Sequence, residues 1–214
     1  MPAFTDLTGL AGIAFALAAL LIAFPGIREL SRPRLAALGT VTVVLVLIPF
    51  GTLPLAAVVR GATGDLSITT LLLLGSGVLR RLTGRSPADP RARLALLGLV
   101  AVAALFLYPM ALGVGMWDPY RLGYRSPALF GGLLIVALAA WFSRFDAIVL
   151  GLALAILAWA VRAYESNNLW DYLLDPLVSF YALGVLARRG ADQVLRRFRN
   201  TPVGNVAVDH LPKT

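Results

Sequence analysis

Arginine, carboxylate and aromatic side chains gather in three stretches of this chain. The first is Arg60-Gly61-Ala62-Thr63-Gly64-Asp65, followed by Ser67, Thr69 and Thr70. The second is Trp117-Asp118-Pro119-Tyr120-Arg121, continuing to Tyr124 and Arg125. The third runs from Arg162 through Tyr164, Glu165, Ser166, Asn167 and Asn168 to Trp170-Asp171-Tyr172 and Asp175. Together they hold five carboxylates and four guanidiniums beside aromatic rings and amides. Such a set suits a sugar or phosphate headgroup. The planar guanidinium fork takes phosphate, Asp and Asn take hydroxyls, and Trp or Tyr stacks on a ring. The binding candidates are Arg60, Asp65, Trp117, Tyr120, Arg121, Arg162, Asn168 and Trp170. A group transfer here would need a carboxylate base, for which Asp118, Glu165 and Asp171 are the catalytic candidates. No metal site and no cofactor is expected.

Each of these residues also has a plain structural use. Trp and Tyr collect at membrane interfaces whatever a protein does. Asp65 and Asp175 stand where helix caps are needed, and Arg–Asp pairs tie loops together. Trp117-Asp118 and Trp170-Asp171 repeat one dipeptide, as two copies of a helical hairpin would, but two matching residues are also what coincidence gives. Gly64-Asp65 falls short of the Gly-x-Gly-Asp motif of intramembrane aspartyl proteases. Position 62 is Ala and no Tyr-Asp partner is present, so a turn with a helix cap is the better reading.

Several chemistries are excluded by residue type. The chain has no Cys, so disulfides and thiolate metal sites are out. The sole His, His210, and the sole Lys, Lys213, lie in a polar C-terminal stretch. That removes His-ligated metals, Ser–His hydrolysis and a Schiff base on a membrane helix.

What must position the polar stretches is a set of apolar segments. Of 214 residues, 59% are hydrophobic and 14% charged, too apolar for a soluble surface of this size. Long unbroken apolar runs favour helices over a barrel, whose strands would alternate. The fold class expected is therefore all-α, a polytopic transmembrane bundle of about seven spans with the N-terminus outside and the C-terminus inside. The segments are Leu7–Phe24, Leu35–Val59, Leu66–Leu79, Leu94–Met116, Pro127–Phe142, Ala147–Val161 and Pro176–Ala187. Four of them are shorter than the roughly 20 residues a span needs. Pro49 and Pro54 should kink the second. Asp89-Pro90, Ser126-Pro127 and Asp175-Pro176 each pair a capping residue with Pro at the first helical position, and Asp65 and Asp146 are further cap candidates. Gly12, Ala16 and Ala19 would let the first helix pack closely on neighbours.

Arginine placement sets the orientation. With seven spans, the inner loops and tail hold 15 of the 19 positive charges, leaving Arg60, Arg121, Arg125 and Arg162 outside. The inner face nets +10 and the outer −2. The first segment lacks a basic leader and should be retained. Residues 1–187 are thus expected as the transmembrane domain and 188–200 as a basic amphipathic cytoplasmic segment. There Val194, Leu195 and Phe198 interleave with Arg196, Arg197 and Arg199, as on an anionic leaflet or as a simple inner anchor. Residues 201–214 should form a flexible tail. The expected location is a bacterial inner membrane. Expected partners are membrane lipids and a further membrane protein, not nucleic acid. Three functions compete: an outer-leaflet headgroup site, a non-catalytic scaffold subunit, and a small transporter. The last ranks lowest, because the mid-helix polar residues reduce to Thr40, Thr42 and Ser76.

Overall fold

A computed structural model describes residues 4–27, 29–87 and 89–200, with the side chains of 197–200 excepted. Arg28, the 201–214 tail, His210 and Lys213 lie outside the described residues, as do the side chains of Arg197, Phe198 and Arg199. The chain is helical almost throughout, as expected: α1 (Phe4–Ala23), α2 (Arg32–Leu47), α3 (Leu55–Thr63), α4 (Ile68–Thr83), α5 (Pro90–Ala111), α6 (Pro127–Phe142), α7 (Asp146–Ala160), α8 (Trp170–Leu173) and α9 (Pro176–Asn200). By length and composition, α1 with 20 residues and α5 with 22 can cross a membrane, while α6 and α7 are shorter apolar helices. The basic 188–200 stretch continues α9 without a break.

The second apolar segment is not one kinked helix. It leaves helical geometry at Ile48 and makes a two-stranded antiparallel hairpin, β1 (Pro49–Phe50) against β2 (Leu53–Pro54), before α3 begins. Two prolines within six positions explain this. Each removes an N–H donor and clashes with the carbonyl four residues back, so a continuous helix through both is strongly disfavoured. Gly51 takes the positive φ that the tight turn requires.

Caps behave as the local chemistry dictates in part. Asp89 accepts from Arg91 N–H at 3.0 Å and Asp175 accepts from Val178 N–H at 2.9 Å. Ser126 precedes α6 without a side-chain cap bond, and Asp146 sits inside the first turn of α7. Ser67, not Asp65, caps α4, accepting from Thr70 N–H.

Two cores form. Ile13, Ala14, Ala16, Val46, Ala56 and Leu66 join α1 to α2, α3 and the start of α4. Gly9, Ala16 and Ala19 are buried along α1, and these small residues let α2, α3 and α4 approach it closely. The second core centres on Leu97, Leu107, Leu129, Leu169, Tyr172 and Val178, from α5 to α9. Arg81 at the end of α4 donates to the Ile22 carbonyl at 3.0 Å, so α1 and α4 end together. Contacts at the opposite pole join the start of α1, the end of α3, the starts of α4 and α9, and the loops before α6 and after α7. All three polar stretches therefore meet at one pole.

Many large apolar side chains face outward between the poles. Val102, Leu105, Ile135, Phe142 and Phe180 are each more than 60% exposed.

Candidate functional site

The polar pole resolves into three bonded clusters and one open cleft. In the first cluster, Asp175 is 5% exposed and accepts four hydrogen bonds. Its Oδ2 takes Ser67 N–H at 2.9 Å, Ser67 Oγ–H at 2.8 Å and Thr70 Oγ1–H at 2.5 Å, and its Oδ1 takes Val178 N–H. One carboxylate thus locks the N-termini of α4 and α9 together, where the helix dipoles favour negative charge. Thr69 Oγ1 bonds the Leu173 carbonyl beside it. Tyr164 Oη–H donates to the Leu66 carbonyl at 2.8 Å and stacks on Tyr172 with centroids 4.9 Å apart.

The second cluster surrounds Arg60. Its Nε and Nη2 reach Asp65 Oδ1 and Oδ2 at 2.6 and 3.1 Å, a bidentate pair. Nη1 reaches Asp6 at 3.0 Å, and the exposed Glu165 lies 3.6 Å from Nη2. The bond to Asp65 pushes the Arg60 proton affinity further up. Gly9 lies against this pair, and a Cβ there would overlap the Asp65 carboxylate and the Arg60 guanidinium. Thr8, next along α1, bonds the Ala163 carbonyl.

The third cluster docks the loop before α6 onto the loop before α8. Asp171 accepts from Tyr120 Oη–H at 2.9 Å and Ser166 Oγ–H at 2.5 Å. Asn168, fully buried, donates to the Tyr120 carbonyl at 2.9 Å and accepts from Trp170 N–H at 2.9 Å. Trp170 Nε1–H donates to the Pro119 carbonyl at 3.1 Å. Gly123 must be Gly, because a Cβ would overlap the Asn168 amide. Asp118 caps its own turn, accepting from Tyr120 N–H at 2.9 Å. Burial, then the Asp171 charge, pushes the Tyr120 phenol well above its ordinary range. Burial also raises the Tyr164 and Tyr172 phenols.

The cleft is different in kind. Tyr124, Arg125, Trp159, Ala160, Arg162 and Asn167 surround about 340 Å³ between the start of α6 and the end of α7. No carboxylate lines it. Among the described residues, no ion pair or hydrogen bond reaches the Arg125 or Arg162 side chain. Trp159 is held by its Nε1–H bond to the Asn167 carbonyl at 2.9 Å and by Phe130, 5.5 Å away between centroids. Arg162 adopts φ 54°, with Ala163 N–H bonded to the Ala158 carbonyl, which is the left-handed end of α7. Arg125 likewise has φ 62°. Arg144, at the opposite pole, shares this conformation, so it marks helix and turn ends and not the cleft.

Of the expected binding residues, only Arg162 lines the cleft. Arg60 and Asp65 pair with each other. Asn168 and Trp170 are buried in the loop framework, with Tyr120 bonded to Asp171 beside them. Trp117 is exposed and packs on Phe106 at 5.6 Å, and Arg121 is exposed. The two Trp-Asp dipeptides occupy unlike settings, one exposed and one buried. Of the proposed bases, Asp118 caps its own turn, Asp171 is taken up by Tyr120 and Ser166, and Glu165 is 68% exposed beside Arg60. Tyr124, Arg125, Trp159 and Asn167 join Arg162 although sequence reasoning had not selected them as site residues. Trp159 was hidden in an apolar run, while Tyr124 and Arg125 stood in plain view among the polar stretches.

No protein-family model, curated protein or solved structure matches the chain.

Proposed function

We propose that this chain is a multi-pass inner-membrane protein whose outward pole binds an anionic, lipid-linked or glycan-phosphate headgroup. The observation that carries the reading is the pair of unpaired guanidiniums, Arg125 and Arg162, in a cleft walled by Tyr124, Trp159 and Asn167. Two cations left without counter-charge attract an anion, the rings offer a stacking face, and the amide offers hydrogen bonds. Binding, not acid–base chemistry, is the action supported, because no carboxylate lines the cleft.

The membrane setting rests on the outward apolar belt between the poles and on the skewed arginines. An apolar belt of this kind belongs in hydrocarbon. Seven crossings require the short helices α2, α4, α6 and α7 to be met by local thinning or tilted neighbours.

The test uses the protein in neutral detergent, with bound lipid counted by native mass spectrometry. Phosphatidylglycerol should be retained in preference to phosphatidylcholine, and Arg125→Gly with Arg162→Gly should abolish the preference. Equal retention of both lipids by the unaltered protein would refute it.

A second reading, a scaffold subunit, is favoured by a different observation. Phe50 in the hairpin and Leu112 and Met116 after α5 are each more than 80% exposed. Exposed apolar loops suit a protein partner. Co-purification of a stoichiometric partner that is lost in Met116→Asp would support it.

A further inference from the structure

We propose that the occupant of the cleft is a membrane lipid, one hydrocarbon chain of which lies in a groove between α5 and α6. This rests on the headgroup reading and specifies its ligand as an embedded amphiphile and not a free anion. The groove is about 330 Å³ and opens beneath the polar pole. It exists because α5 packs on α9 and α7, and α6 packs on α7, while α5 and α6 stand apart. Leu99, Phe106, Leu133, Val136, Leu152 and Trp170 line it, and its rim on α5 is exposed at Val102. Thr69 is the sole hydroxyl along it. Such a lining takes a hydrocarbon chain and repels a headgroup.

Three elements contribute to both spaces. On α7, Leu152 lines the groove and Trp159 the cleft, two helical turns apart on one face, or about 10 Å. Before and within α6, Arg125 lines the cleft and Leu129 the groove. Across the loop after α7 and the start of α8, Asn167 faces the cleft and Trp170 the groove. Along these elements the charged space lies nearer the polar pole than the apolar one, the order in which a phospholipid presents its phosphate and its chain.

Gly132 gives a clean way to block the groove. It lines the space, it is exposed, and a Cβ built on it meets nothing within 4 Å. Gly132→Leu therefore sends a side chain into the groove from a position where its Cβ meets no neighbour, and Leu is a better helix former than Gly. The protein in neutral detergent is titrated with dipalmitoyl phosphatidylglycerol and separately with glycerol phosphate, by calorimetry. The expected result is that the lipid binds and glycerol phosphate binds at least about tenfold more weakly. Gly132→Leu should weaken the lipid alone by about tenfold, the scale of one or two methylenes kept from the groove. Arg125→Gly with Arg162→Gly should weaken both ligands. Equal binding of both ligands with no effect of Gly132→Leu would overturn the chain proposal and leave the headgroup site standing. Lipid binding indifferent to the arginine pair would overturn the headgroup site itself.

Discussion

Asp175 and Arg60 are charged side chains of opposite sign, each of which gathers several partners. Asp175 is a buried carboxylate with a donor for each lone-pair direction it needs, so it works as a structural node between α4 and α9. Asp175→Ala strands the Ser67 and Val178 N–H groups and the Thr70 hydroxyl. The expected loss is about 2–4 kcal/mol, the scale of a lost cap plus buried unsatisfied donors, read as a lower thermal midpoint in detergent. Arg60 instead gathers Asp6, Asp65 and Glu165, and it fits only because Gly9 has no side chain. Gly9→Ala and Arg60→Ala should each destabilise by about 1–2 kcal/mol, and the double variant should cost much less than their sum, since each breaks the same pair.

The tyrosines give a pH signature. Tyr120, Tyr164 and Tyr172 hold their protons above the ordinary phenol value of about 10 once folded. Their contribution to stability is therefore complete below that pH and is lost as pH climbs past it. Absorbance titration should show these phenols ionising only together with unfolding, and the thermal midpoint should fall above about pH 10. Phenols that all titrate near 10 in the folded protein would contradict the burial described.

At the scale of elements, what could be read in the sequence was what local chemistry controls. Asp89-Pro90 and Asp175-Pro176 announce helix starts, because a capping carboxylate and the N–H it accepts from lie within three residues. Pro49 and Pro54 announced a break, but its form, a hairpin followed by a new helix, depended on how α3 packs against α1. Asp65 looked like the cap of α4 from its position. Its real partner, Arg60, is a nearby residue of opposite charge, and Ser67 took over the cap. The tie between Asp175 and Ser67 spans 108 positions and left no trace in either neighbourhood. The cleft was half visible for the same reason: its arginines stood out, while Trp159 was one apolar residue among many until α7 turned it toward Asn167. An element-scale prediction follows from the end of α7. Gly is the favoured residue at its left-handed position, so Arg162→Gly should hold or raise the thermal midpoint, by up to about 1 kcal/mol of stability, while weakening anionic lipid binding. A fold lost in this variant would show that Arg162 is structural.

At the scale of the molecule, one pole is a bonded lattice of loops around an open cationic cleft, and the belt below it is apolar. The far pole carries the arginines Arg32, Arg34, Arg80, Arg81, Arg85, Arg91, Arg93 and Arg144. That distribution favours a membrane orientation with the cleft outside. The absence of Cys makes the orientation directly measurable. Met116→Cys and Arg85→Cys each introduce a single thiol at an exposed position, one at each pole. With a membrane-impermeant maleimide on intact spheroplasts, Met116→Cys should label at once and Arg85→Cys only after the membrane is opened. Labelling of Arg85→Cys from outside, or recovery of either variant in the soluble fraction, would contradict the account.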